Sequence, residues 1–278
     1  MRNNQRRLKH ASPAAHQGAA AASPPMGFVS PTEFIELPSK GEFYPEGHPL
    51  HKQETIEIRY MTAKDEDILS SQALLKKGLA IDRLIQNLMV LDIDPSTLLL
   101  GDRNAMLIAA RISGYGSEYK FAATCRGCSE ASDQEYDLHS AMITGNCFEQ
   151  KFLRKNNITY NSETSTLDVV LPTSGVTVGI SPVDGHGEKQ LTSENQGNED
   201  SVVTTVLSSF IAKVNDSFEF DQVMAFIESM PAKDSKFVRT LYPKLVPNIS
   251  LKHYYDCKVC FTSHDLEVPL TAAFFWPE

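Results

Sequence analysis

Tyr119-Lys120-Phe121-Ala122-Ala123-Thr124-Cys125-Arg126-Gly127-Cys128 is followed by a returning segment, Gln134-Glu135-Tyr136-Asp137-Leu138. The plan recurs near the end of the chain. Ile249-Ser250-Leu251-Lys252-His253-Tyr254-Tyr255-Asp256-Cys257-Lys258-Val259-Cys260 precedes Asp265-Leu266-Glu267-Val268-Pro269-Leu270. Both read as strand, C-x-x-C turn, strand. A two-residue gap lets one tight turn present two sulfurs to one ion, and two such turns complete a tetrahedron. The spacing therefore predicts one structural Zn2+ per chain, held by Cys125, Cys128, Cys257 and Cys260. Four thiolates leave no open position for water or substrate, so the ion reads as a staple and not a hydrolytic centre.

Two local disulfides, a redox pair and unconnected thiols are the rival readings. Stable disulfides are disfavoured in a cytosolic chain, and neither pair has the strand-then-helix setting of a thioredoxin-type site. Cys147 has no partner at ligand spacing and reads as a small buried hydrophobe. His139, His253 and His264 flank the cysteine turns as substitute ligands or as supports for them. The pairs are separated by 128 residues, so the ribbon is split. Loop closure costs grow only logarithmically, whereas structural zinc supplies about 10–16 kcal/mol of apparent binding energy.

Around this clamp the sequence predicts an α+β chain: a helical subdomain, a split zinc ribbon of two β-hairpins, an inserted segment of hairpin and helices, and a disordered N-terminal tail. Residues 1–30 form a basic tail with Arg2, Arg6, Arg7 and Lys9 and no acid. Residues 31–61 read as an extended, turn-rich arm and a strand over Thr55–Met61. Residues 62–118 form the helical subdomain, with one helix from Thr62 to Lys77, one from about Ile81, and one restarting at Gly101-Asp102 after an Asp94-Pro95 start. Gly114 and Gly116 stop it. Residues 119–140 are the first half of the ribbon, and 141–247 the inserted segment. That segment comprises a hairpin over Leu167–Leu171 and Val176–Ile180, a loop over 184–200, an amphipathic helix over 202–211, and helices over about 219–230 and 233–242 ended by Pro243. Residues 248–278 hold the second half of the ribbon and an aromatic C-terminus.

Net charge is −9, divided between +4 in the tail and −13 in the rest. An acidic body repels phosphate backbones, which argues against nucleic acid as the partner. No apolar run approaches the roughly 18 residues of a membrane span, and the alanines after the basic start are too interrupted for a secretory signal. Synthesis in the cytoplasm is the expectation. His48 and His51 lie together in the arm without a carboxylate partner. Asp65, Glu66 and Asp67 suit the first turn of a helix, where acids meet its dipole. There is no phosphate-binding glycine loop, nucleophile elbow or two-histidine metalloprotease helix, so nothing argues for an enzyme.

Several segments taken in order resemble baseplate hub proteins of contractile-tailed bacteriophages. These are Leu37-Pro38-Ser39-Lys40-Gly41-x-Phe43-Tyr44-Pro45, Glu66-Asp67-Ile68-Leu69, Gly101-Asp102-Arg103-Asn104, Ala110-Arg111-Ile112-x-x-Tyr115-Gly116, the cysteine pairs, and Phe274-Phe275-Trp276-Pro277. The resemblance spans roughly residues 31–277. It implies a noncatalytic structural or assembly part of the tail baseplate hub. The implied partners are other hub proteins and the tape-measure protein, and the implied location is the virion after synthesis in the host cytoplasm. Two other readings are a zinc-ribbon adaptor of nucleic-acid machinery and a tail-assembly chaperone absent from the mature virion. Phe274, Phe275 and Trp276 are candidate interface anchors, with packing on the chain's own core as the alternative.

Overall fold

The structure is a computed structural model that describes residues 30–195, 202–268, 270 and 272–275. Residues 1–30 and Pro31–Glu278 separate as two units, and all the described strands and helices belong to the second. Residues 1–29 of the basic tail lie outside the described residues, as does Trp276.

Strand β1 (Thr32–Glu36) pairs antiparallel with β2 (Thr55–Arg59), placing Ile35 opposite Ile56. The segment between them is not an extended arm. Its turn formers fold it back, and Leu37, Tyr44 and Leu50 are wholly or almost wholly buried. Helix α1 (Ala63–Ser70) starts at Thr62, where Asp65 accepts from the Thr62 backbone N–H at 2.9 Å in a reciprocal cap. Asp65 is fully buried and forms a fork with Arg59, so its role exceeds the dipole contact expected of it.

The single helix expected up to Lys77 is broken at Ser71, which is extended, and resumes as α2 (Gln72–Lys76). Helix α3 (Ala80–Leu88) buries Leu84, Ile85 and Leu88 on one face. Asp94-Pro95 starts only a 3-10 turn over Pro95–Thr97, with Asp94 accepting from Ser96. The long helix α4 (Leu100–Tyr115) then passes straight through Gly114 and stops at Gly116, whose positive φ of +85° is backbone that favours glycine.

Strands β3 (Glu118–Thr124) and β4 (Ala131–Asp137) form the first cysteine hairpin. Next come the short strand β5 (Met142–Thr144), helix α5 (Gln150–Lys155) and strands β6 (Ile158–Asn161), β7 (Thr166–Val170) and β8 (Thr177–Ile180). Helix α6 (Gly185–Asn195) replaces most of the loop expected at 184–200. Asp184 makes it a helix start: its side chain accepts from Gly187 N–H at 2.9 Å and its carbonyl from Glu188 N–H at 3.0 Å. Residues 196–200 lie outside the described set.

Helix α7 (Val202–Ser208) stops short of the 202–211 helix expected, and β9 (Ile211–Val214) begins at Ile211, the last residue of that expected helix. Packing overrides the helical spacing there. Lys213 reaches over Gly179 of β8 to pair with Asp168 of β7 at 2.9 Å, closing an antiparallel sheet ordered β6-β7-β8-β9. Helix α8 (Phe220–Ser229) precedes α9 (Ala232–Leu245), which continues through Pro243 for two more residues instead of ending at it, at the cost of the one ladder bond that a proline cannot donate. Strand β10 (Asn248–Ser250) returns to pair with β5. Finally β11 (Lys252–Asp256) and β12 (Ser263–Glu267) form the second cysteine hairpin. Thus β5 with β10 ties together the two ends of the insertion beside the cysteine hairpins. No helix of the described residues is long and apolar enough to cross a membrane.

Candidate metal centre

The two hairpins end in turns with the same hydrogen bonds. Cys125 N–H donates to Glu130 O at 2.8 Å and Ser129 N–H to Cys125 O at 2.9 Å. Cys257 N–H donates to Thr262 O at 3.0 Å and Phe261 N–H to Cys257 O at 2.9 Å. Ser129 and Phe261 occupy matching left-handed positions, with φ of 62° and 56°. Each turn points two sulfurs the same way, which is what the C-x-x-C spacing requires.

The hairpins meet so that Cys125 Sγ lies 3.5 Å from Cys260 Sγ and Cys128 Sγ lies 3.6 Å from Cys257 Sγ. All four sulfurs are within 4.8 Å of one another. A disulfide holds its sulfurs about 2.05 Å apart, whereas four sulfurs around one zinc at about 2.3 Å are separated by roughly 3.8 Å. The observed spacing fits a tetrahedral metal ion. Cys125 and Cys257 are buried and Cys128 and Cys260 exposed, so the cluster sits at the rim of the body.

Local donors prepare the sulfurs for negative charge. The Cys260 thiol is pulled down to about 6, first by the Thr262 hydroxyl and then by the Thr262 backbone. Cys257 is lowered by the backbone N–H groups of Cys260 and Val259. At Cys128 the Glu130 backbone acts in the same lowering direction, but loss of solvent and the surrounding thiols overcome it and push that thiol up to about 12. A metal ion would replace the protons that such a cluster otherwise shares.

Cys147 is buried elsewhere, its thiol pushed up to about 12 by burial. His253 Nε2 lies 3.2 Å from Gln134 Oε1, joining the hairpins beside the cluster. His264 Nε2 lies 3.0 Å from Cys125 Sγ. His139 is exposed on the turn after β4. His48 and His51 serve their own loop: His48 stacks on Tyr44 and meets Thr97, while His51 contacts the Tyr44 carbonyl. Phe274 and Phe275 are 0% exposed, and Arg111 of α4 donates to the Phe274 carbonyl at 3.2 Å. As placed, neither ring offers surface to a neighbouring subunit.

Sequence reasoning missed the role of Asp102. Buried in α4, it accepts from Ser39 N–H at 3.0 Å, Ser39 Oγ–H at 2.6 Å and Tyr44 O–H at 2.8 Å. Tyr44 Oη in turn accepts from Leu99 N–H at 3.1 Å. The available signal was an acid beside the apolar positions of a helix, matched by hydroxyls in the early turn.

Fold and site together define an α+β body whose distant segments meet at a four-cysteine cluster consistent with a structural metal site. Residues 31–276 match the model of the T4 bacteriophage base plate protein family, and the chain belongs to that family. Other baseplate proteins are therefore its partners and the virion tail its location. Neither the curated proteins nor the solved structures provided a match.

Proposed function

We propose that this chain is a noncatalytic structural or assembly component of the baseplate hub, its fold fastened by one Zn2+ on Cys125, Cys128, Cys257 and Cys260. The observation that carries the reading is the convergence of four sulfurs from hairpins at opposite ends of a long insertion. When bound, zinc supplies coordinate bonds that hold the two hairpins in one geometry, and a four-thiolate shell gives it no position for a reacting water. The chain's own contribution is to orient the sulfurs through the turn N–H groups and the Thr262 hydroxyl. An adaptor of nucleic-acid machinery fits poorly with an acidic body.

The expected neighbours are other hub proteins and the tape-measure protein. Co-expression with those proteins tests this directly: the full chain should co-purify with a hub subcomplex and remain in finished particles. Recovery with the subcomplex but absence from particles would assign it to assembly alone. Failure to associate with any hub protein would overturn the hub reading.

A further inference from the structure

We propose that His264 belongs to the metal centre as a hydrogen-bond donor to a ligand, resting on the four-thiolate reading of that centre: its Nε2–H donates to the Cys125 thiolate. His264 stands on β12 opposite Tyr255 of β11, and its ring packs at 5.3 Å from the Tyr255 ring. That packing directs Nε2 across the junction to a sulfur of the other hairpin, 139 positions earlier in the chain, at 3.0 Å. Gly127 N–H approaches the same sulfur at 3.3 Å, so Cys125 is served by one donor from its own turn and one from the opposite hairpin.

The chemistry of the centre gives this contact a purpose. Four thiolates around a divalent ion carry two excess negative charges, and donors to sulfur disperse that charge and fix the ligand's direction. Cys260 likewise has a polar neighbour, the Thr262 hydroxyl, which accepts from the sulfur at 3.3 Å. His264 serves the neighbouring sulfur, Cys125, across the 3.5 Å Cys125–Cys260 contact. It touches a ligand and not the metal, which makes it a positioning residue that couples the hairpins independently of the ion.

The test compares full-length wild type, His264→Ala and His264→Gln, each loaded with zinc or with cobalt as a spectroscopic substitute. In His264→Ala the cobalt spectrum should keep its four-sulfur signature and one metal per chain, while zinc passes to a chelator about ten-fold faster. In His264→Gln, whose amide can still donate, release should return towards the wild-type rate. Unchanged release in the alanine variant would overturn the proposal. A wild-type spectrum of three sulfurs and one nitrogen that changes in both variants would also overturn it, by making the imidazole a ligand. If the alanine variant does not fold, the glutamine variant and the wild-type spectrum still decide between donor and ligand. Wild-type protein that binds neither metal would sink the centre itself, a result distinct from failure of the His264 contact alone.

Discussion

Ser39 and Asp102 are joined twice across 63 positions, the serine N–H donating to one carboxylate oxygen at 3.0 Å and its hydroxyl to the other at 2.6 Å. With Tyr44, they fasten the early loop to the first turns of α4. Burial holds the Asp102 carboxyl above its ordinary range, although Ser39 and Tyr44 act to lower it. Asp102→Ala strands three buried donors, and the predicted loss is about 3–5 kcal/mol in urea unfolding. A loss under about 1 kcal/mol would show that the loop is held by its apolar contacts alone.

A second prediction concerns pH. The Asp65 carboxyl lies below its ordinary 3.8 because, although burial opposes ionisation, Arg59 and Thr62 stabilise the charge. A depressed native value contributes stability above the unfolded value and loses it as pH falls through the native one. Asp65→Asn is therefore expected to cost about 2–4 kcal/mol at neutral pH and progressively less below about pH 4. Chemical unfolding of both proteins across that range checks it; a difference that grows on acidification contradicts the assignment.

Gly101→Ala tests close packing. Alanine favours a helix over glycine by about 1 kcal/mol, yet a methyl at this position overlaps the Pro247 backbone carbonyl. The second effect dominates, because backbone on both sides must move. The variant should lose about 1–3 kcal/mol in thermal or urea unfolding, and a gain would mean that α4 and β10 separate easily.

Metal removal should weaken the body as a whole. Freshly purified, reduced protein is expected to contain one zinc per chain by elemental analysis, and Cys128→Ser or Cys257→Ser to lose it and fold poorly. Acid should also release the ion, since thiolates regain protons as pH falls. Wild type without zinc, or serine variants that keep it, would remove the basis for the clamp.

At the tip of the second hairpin, Phe261 is 82% exposed in a left-handed conformation. That backbone costs a bulky residue about 1–2 kcal/mol, which exceeds the roughly 0.4–1 kcal/mol of chain entropy that glycine adds to the unfolded state. Phe261→Gly is expected to raise the melting temperature slightly. A marked fall would reveal that the ring makes stabilising contacts.

The cysteine hairpins were legible because ligand spacing and strand alternation are local patterns. The stripe of α3 and the Leu167–Ile180 hairpin were legible for the same reason. Helix α6 was hidden because Gly185 and Gly187 resemble a loop, while the Asp184 cap acts only once the chain has turned there. Strand β9 was hidden because Val206, Leu207, Phe210 and Ile211 satisfy a helical period, and its pairing with β8 is a long-range choice. The Ser39–Asp102 link lay in two segments that each looked complete. Which distant polar groups meet is decided by the assembled core, not by either neighbourhood.

The 128 residues between Cys128 and Cys257 also impose an order in time. At synthesis rates of about 5–20 residues per second, the first pair of thiols waits roughly 6–26 s for the second to be made. During that interval no tetrahedral set exists within the chain. A product cut short before Cys257 holds only two of the four clustered thiols, so it cannot enclose an ion as the full chain is proposed to do.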